Sequence, residues 1–164
     1  MPRLFFLAVV ILLIGSCKEE QANTTNGEQA SYEIGTEKWA KKSSIGSKAN
    51  AIMGNWAEFQ ALEVSFDALY TVANRDDLLL VVEGLIEKED DLSASEYPVE
   101  FGIPQIRGRQ KMFRTFVLKV KGDLHYRLDP QASVKEMITA YNAFRNQFNV
   151  VVNNTLDTKL IFDE

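Results

Sequence analysis

Cysteine and histidine each occur only once in the 164 residues of this sequence. Because a disulfide needs two cysteines, Cys17 alone excludes an intramolecular disulfide framework, and the fold must be held by its apolar core. His125 alone excludes the zinc motifs that need two histidines and leaves any metal site short of partners. Neither a catalytic relay nor a metal centre is indicated, so we expect a protein that is not an enzyme and carries no cofactor.

Basic residues are outnumbered by acidic ones. The chain has 18 Lys and Arg against 23 Asp and Glu, and removal of residues 1–16 would take away Arg3 and no acid, leaving a net charge of about −6. Non-specific binding of nucleic acid requires a basic surface that displaces counterions. We therefore expect no nucleic-acid partner.

Only one long apolar run is present, at residues 4–15 (LFFLAVVILLIG), after a short positive segment that contains Arg3. A helix of 12 residues rises about 18 Å, whereas the hydrocarbon core of a bilayer is about 30 Å thick. The length and flanks of the run are typical of a secretion signal. The alternatives are an uncleaved anchor and a buried helix.

The residues that end this run, Ile14-Gly15-Ser16-Cys17, resemble the lipobox of bacterial lipoproteins. The resemblance implies that residues 1–16 are a signal peptide and that Cys17 is the lipid-bearing first residue of the mature protein. Several acyl chains anchor a protein durably, whereas a single chain binds weakly and reversibly. The implied partner is the membrane, through the lipid on Cys17.

The next three residues, Lys18-Glu19-Glu20, resemble a signal that directs lipoproteins of one Gram-negative group to the outer face of the outer membrane. The resemblance implies a lipid anchor in the outer membrane, with the cell surface favoured over the periplasmic face. A charged start of a linker is the alternative.

Residues 17–46 are polar and rich in Asn, Thr, Ser, Glu and Gly. Such a stretch buries too little apolar surface to offset the entropy of ordering. We therefore expect a lipidated, disordered tether over residues 17–46. The alternative is that Tyr32, Ile34 and Trp39 dock on the domain as a short helix.

Residues 47–164 carry the periodicity of helices. Apolar residues recur at three- and four-residue steps and predict helices over about 47–73, 77–92, 105–127 and 130–154. Short connections and the lack of a convincing strand predict an all-α, up-down-up-down four-helix bundle. Residues 76–100 hold nine acids and one base, and residues 105–127 hold seven bases and one acid, which favours packing of the second helix beside the third.

Several local signals refine this expectation. Asp76 is expected to cap the second helix, and Ser133 with Glu136 matches a capping box for the fourth. The last ten residues form a tail, and three of them are expected to pack across the end of the bundle. These three are Leu160, Ile161 and Phe162.

Three groups of residues could carry chemistry, but each has a structural interpretation that we prefer. The acids Glu87, Glu89, Asp90 and Asp91 lack the spacing of a calcium loop and are expected to form a solvated helix face. The methionines at 53, 112 and 137 lie on different predicted helices and are expected to pack in the core. The bases between 107 and 114 accompany two phenylalanines, which fit the core better than a nucleic-acid surface. Anionic glycans or phosphorylated lipid headgroups remain alternative ligands for these bases.

The stretch 62–152 resembles the small four-helix b-type cytochromes of the bacterial periplasm. A long first helix, the turn Asn74-Arg75-Asp76, a proline-bearing second connection and Asn142-Ala143-Phe144 carry the resemblance. The family implies a helical bundle that binds haem between an early Met and a late His. Those positions are Leu62 and Arg145 in this chain, and neither side chain ligates iron.

The anchor and the bundle together favour a membrane-anchored lipoprotein whose helical domain binds an envelope protein or a glycan without catalysis. Exposed aromatic residues are the expected contact points, and we single out Trp39, Tyr97, Phe101 and Tyr126. The alternative is a haem- or metal-carrying periplasmic bundle of the cytochrome-like type.

Overall fold

A computed structural model describes residues 34–154 of the chain. The predictions for the signal peptide, for Cys17, for the tether before residue 34 and for the tail at 155–164 lie outside the described residues. The elements are α1 (Ser47–Met53), α2 (Ala57–Asp67), a 3₁₀ turn (Ala68–Thr71), α3 (Arg75–Ala94), α4 (Pro104–His125) and α5 (Gln131–Asn153). The predicted all-α class is confirmed, and none of these helices is long and apolar enough to cross a bilayer.

The first arm of the bundle is broken where the sequence predicts one long helix. Gly54 caps α1, and the backbone of Trp56 leaves the helical region (φ −94°, ψ 89°) before α2 begins. The indole of Trp56 donates a hydrogen bond to Ser95 Oγ at 2.9 Å, which joins the start of α2 to the end of α3. Glycine weakens a helix by about 1 kcal/mol, so the buried Trp56 contact can redirect the chain at this point.

Consecutive long helices are antiparallel neighbours, as predicted. Asp90 contacts Arg114 at 2.6 Å and Glu83 contacts Lys121 at 3.3 Å, so residue numbers fall along α3 as they rise along α4. These ion pairs join the acidic residues of 76–100 to the basic residues of 105–127, whose opposite charges predict that the two helices pack side by side. The same reversal relates α4 to α5 and α2 to α5; the pairs that show it are Phe113–Tyr141, Lys119–Glu136, Phe59–Phe148 and Phe66–Tyr141.

Aromatic side chains fill the space between α2 and α5. Phe66 stacks on Tyr141 with ring centroids 3.8 Å apart, and the edge of Phe59 meets Phe148 at 5.3 Å. All four rings are fully buried. Large rings bury about 150–250 Å² each, and aromatic pairs contribute about 0.5–1.5 kcal/mol beyond their area, so this layer stabilises the packing of α2 on α5.

The helix ends differ from the capping predictions. Asn74, rather than Asp76, caps α3, because its side-chain oxygen accepts from the Asp77 backbone N–H at 2.9 Å. At α5 the predicted capping box is wrong: Ser133 Oγ donates to the Pro130 carbonyl, and Asp129 accepts from the N–H of the first helical residue at 3.0 Å. In both cases a polar side chain two to four positions before the predicted cap makes the contact.

Residues 34–46 form a strap along the bundle, so the predicted tether is wrong for this segment. Asn142 on α5 accepts from the Ser43 backbone N–H at 2.7 Å and donates to the Lys41 carbonyl at 3.0 Å. Asn149 repeats the arrangement two turns later against the backbone of residues 44 and 46, at 3.1 and 2.7 Å. The two side-chain amides provide hydrogen-bond partners for backbone N–H and C=O groups of an extended segment that has few apolar residues.

Side chains at the start of the strap also bind it to the bundle. Ile34 and Trp39 are buried, and the Ile34 N–H donates to the Ala73 carbonyl at 2.9 Å. The Trp39 indole donates to Gln131 Oε1 at 2.9 Å. Burial of these two large apolar side chains stabilises the strap by about 1.5–3 kcal/mol each. The polar composition of the surrounding sequence did not indicate this burial.

Candidate functional site

An open groove lies between α4 and α5. It encloses about 340 Å³. Eight residues line it: Arg109, Met112, Phe116, Lys135, Glu136, Thr139, Ala140 and Ala143. Its volume lies near the lower end of the range for binding pockets in proteins, about 300–1,000 Å³.

Small side chains on α5 create the groove. Ala140 and Ala143 lie on one face of α5 and leave a gap beside Met112 and Phe116 of α4. Met112 is 52% exposed, so the prediction that it packs in the core is wrong, whereas Met53 and Met137 are fully buried as predicted. A groove of this kind depends on where small residues of one helix meet large residues of the next, which periodicity alone does not specify.

Two cations flank the apolar floor. Arg109 and Lys135 are both exposed, and neither forms an ion pair with an acid of residues 34–154. Glu136, the acid on the rim, pairs with Lys119. The rim therefore offers positive charge beside apolar side chains, an arrangement that suits a ligand with apolar and acidic groups.

Three of the four predicted contact residues are buried, so that prediction is wrong for them. Trp39 is 5% exposed, Tyr97 is 9% exposed, and Phe101 is fully buried against Phe148 at a ring distance of 4.8 Å. Large aromatic side chains in segments without helical periodicity predict surface residues, but these three belong to the buried core. Tyr126, the fourth, is 73% exposed in the connection between α4 and α5.

Tyr97 belongs to a buried polar chain that the sequence did not reveal. Its hydroxyl donates to Gln110 Oε1, and Gln110 Nε2 donates to Glu89 Oε2 at 3.3 Å. Arg107 lies 4.0 Å from the centre of the Tyr97 ring, on the exposed side. Burial, the largest cause, raises the pKa of Tyr97 above its ordinary value.

Glu89 is only 1% exposed, so the prediction of a solvated acidic face is wrong for this residue. Its Oε1 has no hydrogen-bond partner within residues 34–154. Burial raises the pKa of Glu89 to about 7, while its hydrogen bond with Gln110 and the charge of Arg114 lower it. The core of the bundle therefore contains a carboxyl group that exchanges its proton near neutral pH.

The positions that correspond to the haem ligands of the cytochromes do not fit haem. Leu62 is fully buried in the core, and Arg145 forms an ion pair with Glu63 and donates from Nε to the Ser43 carbonyl at 2.9 Å. Glu63 also accepts from Tyr141, whose pKa is raised well above its ordinary value, chiefly by burial. The position of the late ligand is thus occupied by a cation that fastens the strap.

No group of three or more His, Cys, Asp and Glu side chains in residues 34–154 is placed to hold a metal ion. His125, the single histidine of the sequence, is exposed at the end of α4, with its ring 5.0 Å from that of Tyr126. A positive charge is favoured at this end of a helix, which accounts for the residue type without a ligand role.

No family model matches the chain, and neither the curated proteins nor the solved structures that were compared with it give a match. The groove, the strap and the buried polar chain therefore have to be interpreted from their own chemistry.

Proposed function

We propose that the protein is a lipid-anchored envelope protein, attached through Cys17 at the surface of the outer membrane, whose helical domain binds a partner without catalysis. The lipobox residues support the attachment. The groove between α4 and α5 is the observation that carries the binding function, because it combines an apolar floor with two cations that pair with no acid of residues 34–154, on an otherwise acidic protein.

The partner that fits the groove is an apolar segment of an envelope protein with acidic residues beside it. Met112, Phe116 and Ala140 would cover the apolar side chains of such a segment, while Arg109 and Lys135 would pair with its acids. A glycan is a poorer match, because its many hydroxyl groups would lose hydrogen bonds to water against this floor.

The attachment is tested by mass spectrometry of the protein isolated from its own envelope. We expect a mature chain that begins at Cys17 and carries the mass of the attached lipid. A chain that retains Met1 and an unmodified Cys17 would overturn the proposed anchor and the proposed location.

The groove is tested by photo-crosslinking in intact cells. A photoreactive residue replaces Met112, and the control places the same residue at Leu80, which is 69% exposed on α3. We expect a discrete adduct with one envelope protein from position 112 and none from position 80. Lys135→Glu should reduce the yield at least severalfold, whereas Lys48→Glu, at an exposed lysine on α1, should leave it unchanged.

Two results would contradict the proposed binding function. Equal yields from positions 112 and 80 would show that the groove has no selective partner. An adduct between position 112 and residues 155–164 of the same chain would show that the groove accommodates the protein's own tail instead of an external segment.

A further inference from the structure

The strap enters the bundle at the end that also carries the connection between α4 and α5. The Ile34 N–H bonds to the carbonyl of Ala73, two residues before α3 begins. Arg75, in the first turn of α3, donates to the carbonyls of Leu124 and Leu128 at 3.3 and 2.9 Å. These contacts place residue 34 beside residues 125–129, which we name the tip.

The tip presents apolar side chains to solvent on an ordered backbone. Tyr126 is 73% exposed and Leu128 is 55% exposed. Arg127 between them has a positive φ of 56°, and the Leu128 N–H closes the helix end by bonding to the Asp123 carbonyl at 2.8 Å. This left-handed helix ending turns the chain sharply, so the side chains of residues 126 and 128 project from a fixed turn.

We propose that the tip is a membrane-contact site, at which Tyr126 and Leu128 enter the interface of the lipid bilayer that holds Cys17. The inference rests on the proposed lipid attachment. Cys17 and Ile34 are 17 residues apart, at most about 60 Å of extended chain, so the tip lies within reach of the bilayer that holds the lipid.

The residue types at the tip suit an interface between water and lipid. Tyrosine is enriched there because its ring is apolar and its hydroxyl is polar, and an arginine such as Arg127 extends its charge back to water. Attachment through Cys17 makes the contact intramolecular, so even a weak insertion is populated. Because the domain is acidic, we expect binding to zwitterionic phosphatidylcholine without any need for anionic lipid.

The opposite end of the bundle offers a matched control. Val99, in the connection between α3 and α4, is 92% exposed. The 22 residues of α4 separate the two ends by about 33 Å. Contact of the tip with a bilayer would therefore leave Val99 in water. The helices would then point away from the bilayer, and the groove between α4 and α5 would open parallel to the bilayer plane.

The experiment uses lipidated protein purified from envelope membranes and reconstituted in phosphatidylcholine vesicles with brominated acyl chains. Tyr126→Trp is compared with Val99→Trp, and the wild type, with Trp39 and Trp56 buried, supplies the background. We expect the bromines to reduce the added fluorescence at least about twofold for Tyr126→Trp and not for Val99→Trp.

Hydrogen exchange provides a second measurement that needs no new fluorophore. Amides of residues 124–129 should exchange at least about fivefold more slowly in the lipidated protein on vesicles than in a Cys17→Ser variant without vesicles, and Leu128→Ser should remove most of this difference. Val99→Ser should not change it. Both substitutions are at exposed positions, so neither should unfold the domain.

The outcomes separate this inference from the proposed function. Lipidated, vesicle-bound protein in which Tyr126→Trp is quenched no more than Val99→Trp would overturn the membrane contact and leave the anchor in place. Purified protein without lipid on Cys17 would overturn both.

Discussion

The buried carboxyl group of Glu89 leads to a quantitative prediction for the substitution Glu89→Gln. Its pKa rises from 4.5 to about 7 in the folded protein. One pKa unit corresponds to 1.36 kcal/mol, so the charged form of Glu89 destabilises the fold by about 3 kcal/mol. Glutamine has nearly the same shape and can keep the contact with Gln110, but it carries no charge.

The sign of the pH dependence follows from the direction of the shift. Below pH 4.5 the carboxyl is protonated in both states and contributes nothing. Between pH 4.5 and about 7 the folded state holds the proton that the unfolded state has lost, so the stability of the wild type falls as pH rises. Above pH 7 both states are charged and the loss is complete.

Urea denaturation at pH 4, 6 and 8 tests this reasoning. We expect the wild type and Glu89→Gln to be equally stable at pH 4, and the variant to be more stable by up to about 3 kcal/mol at pH 8. Glu96→Gln, at an exposed carboxyl near the end of α3, should show no such divergence. A variant that is less stable than the wild type at pH 8, or a difference that does not change with pH, would refute the buried charge as the cause.

Two further predictions concern the strap and the tip. Asn142→Ala should lower the free energy of unfolding by about 1–3 kcal/mol and speed proteolysis of residues 34–46, because it leaves two backbone groups of the strap without hydrogen-bond partners. Asn146→Ala, at an exposed position on α5, should have neither effect. Equal effects of the two substitutions in urea denaturation would contradict the role of the Asn142 amide. Arg127→Gly should raise the free energy of unfolding by up to about 1 kcal/mol, and with it the thermal midpoint, because glycine adopts a φ of 56° without strain. A lowered midpoint in calorimetry would show that contacts of the Arg127 side chain stabilise the fold by more than the strain costs.

The helical arms of the bundle could be predicted because their signal is local and repeated. Apolar residues at helical spacing placed α3, α4 and α5 within two or three residues of their observed ends, and the opposite charges of residues 76–100 and 105–127 predicted the ion pairs between α3 and α4. The break at Trp56 could not be predicted, because it depends on a hydrogen bond to Ser95, 39 positions away.

The candidate site was less accessible from the sequence than the fold. Met112 and Phe116 have the spacing of core residues, and only the small size of Ala140 and Ala143 on the neighbouring helix leaves them at the edge of a groove. Three aromatic residues that the sequence predicts as exposed are buried for the converse reason. Trp39, as an example, lies in a polar stretch of the sequence but is buried, and its indole donates a hydrogen bond to Gln131 on α5.

Composition and periodicity by themselves determined that the regular structure of residues 47–154 is helical, that a core rather than disulfides holds it, and that consecutive long helices alternate in direction. Those properties follow from residue types at short, regular intervals, where each helix has to bury one face. The tertiary structure alone decided that residues 34–46 bind along α5, that Glu89 is enclosed, and that residue 34 lies at the same end of the bundle as the tip. These outcomes depend on contacts between residues tens of positions apart, and no local pattern encodes which distant side chain will meet a given atom.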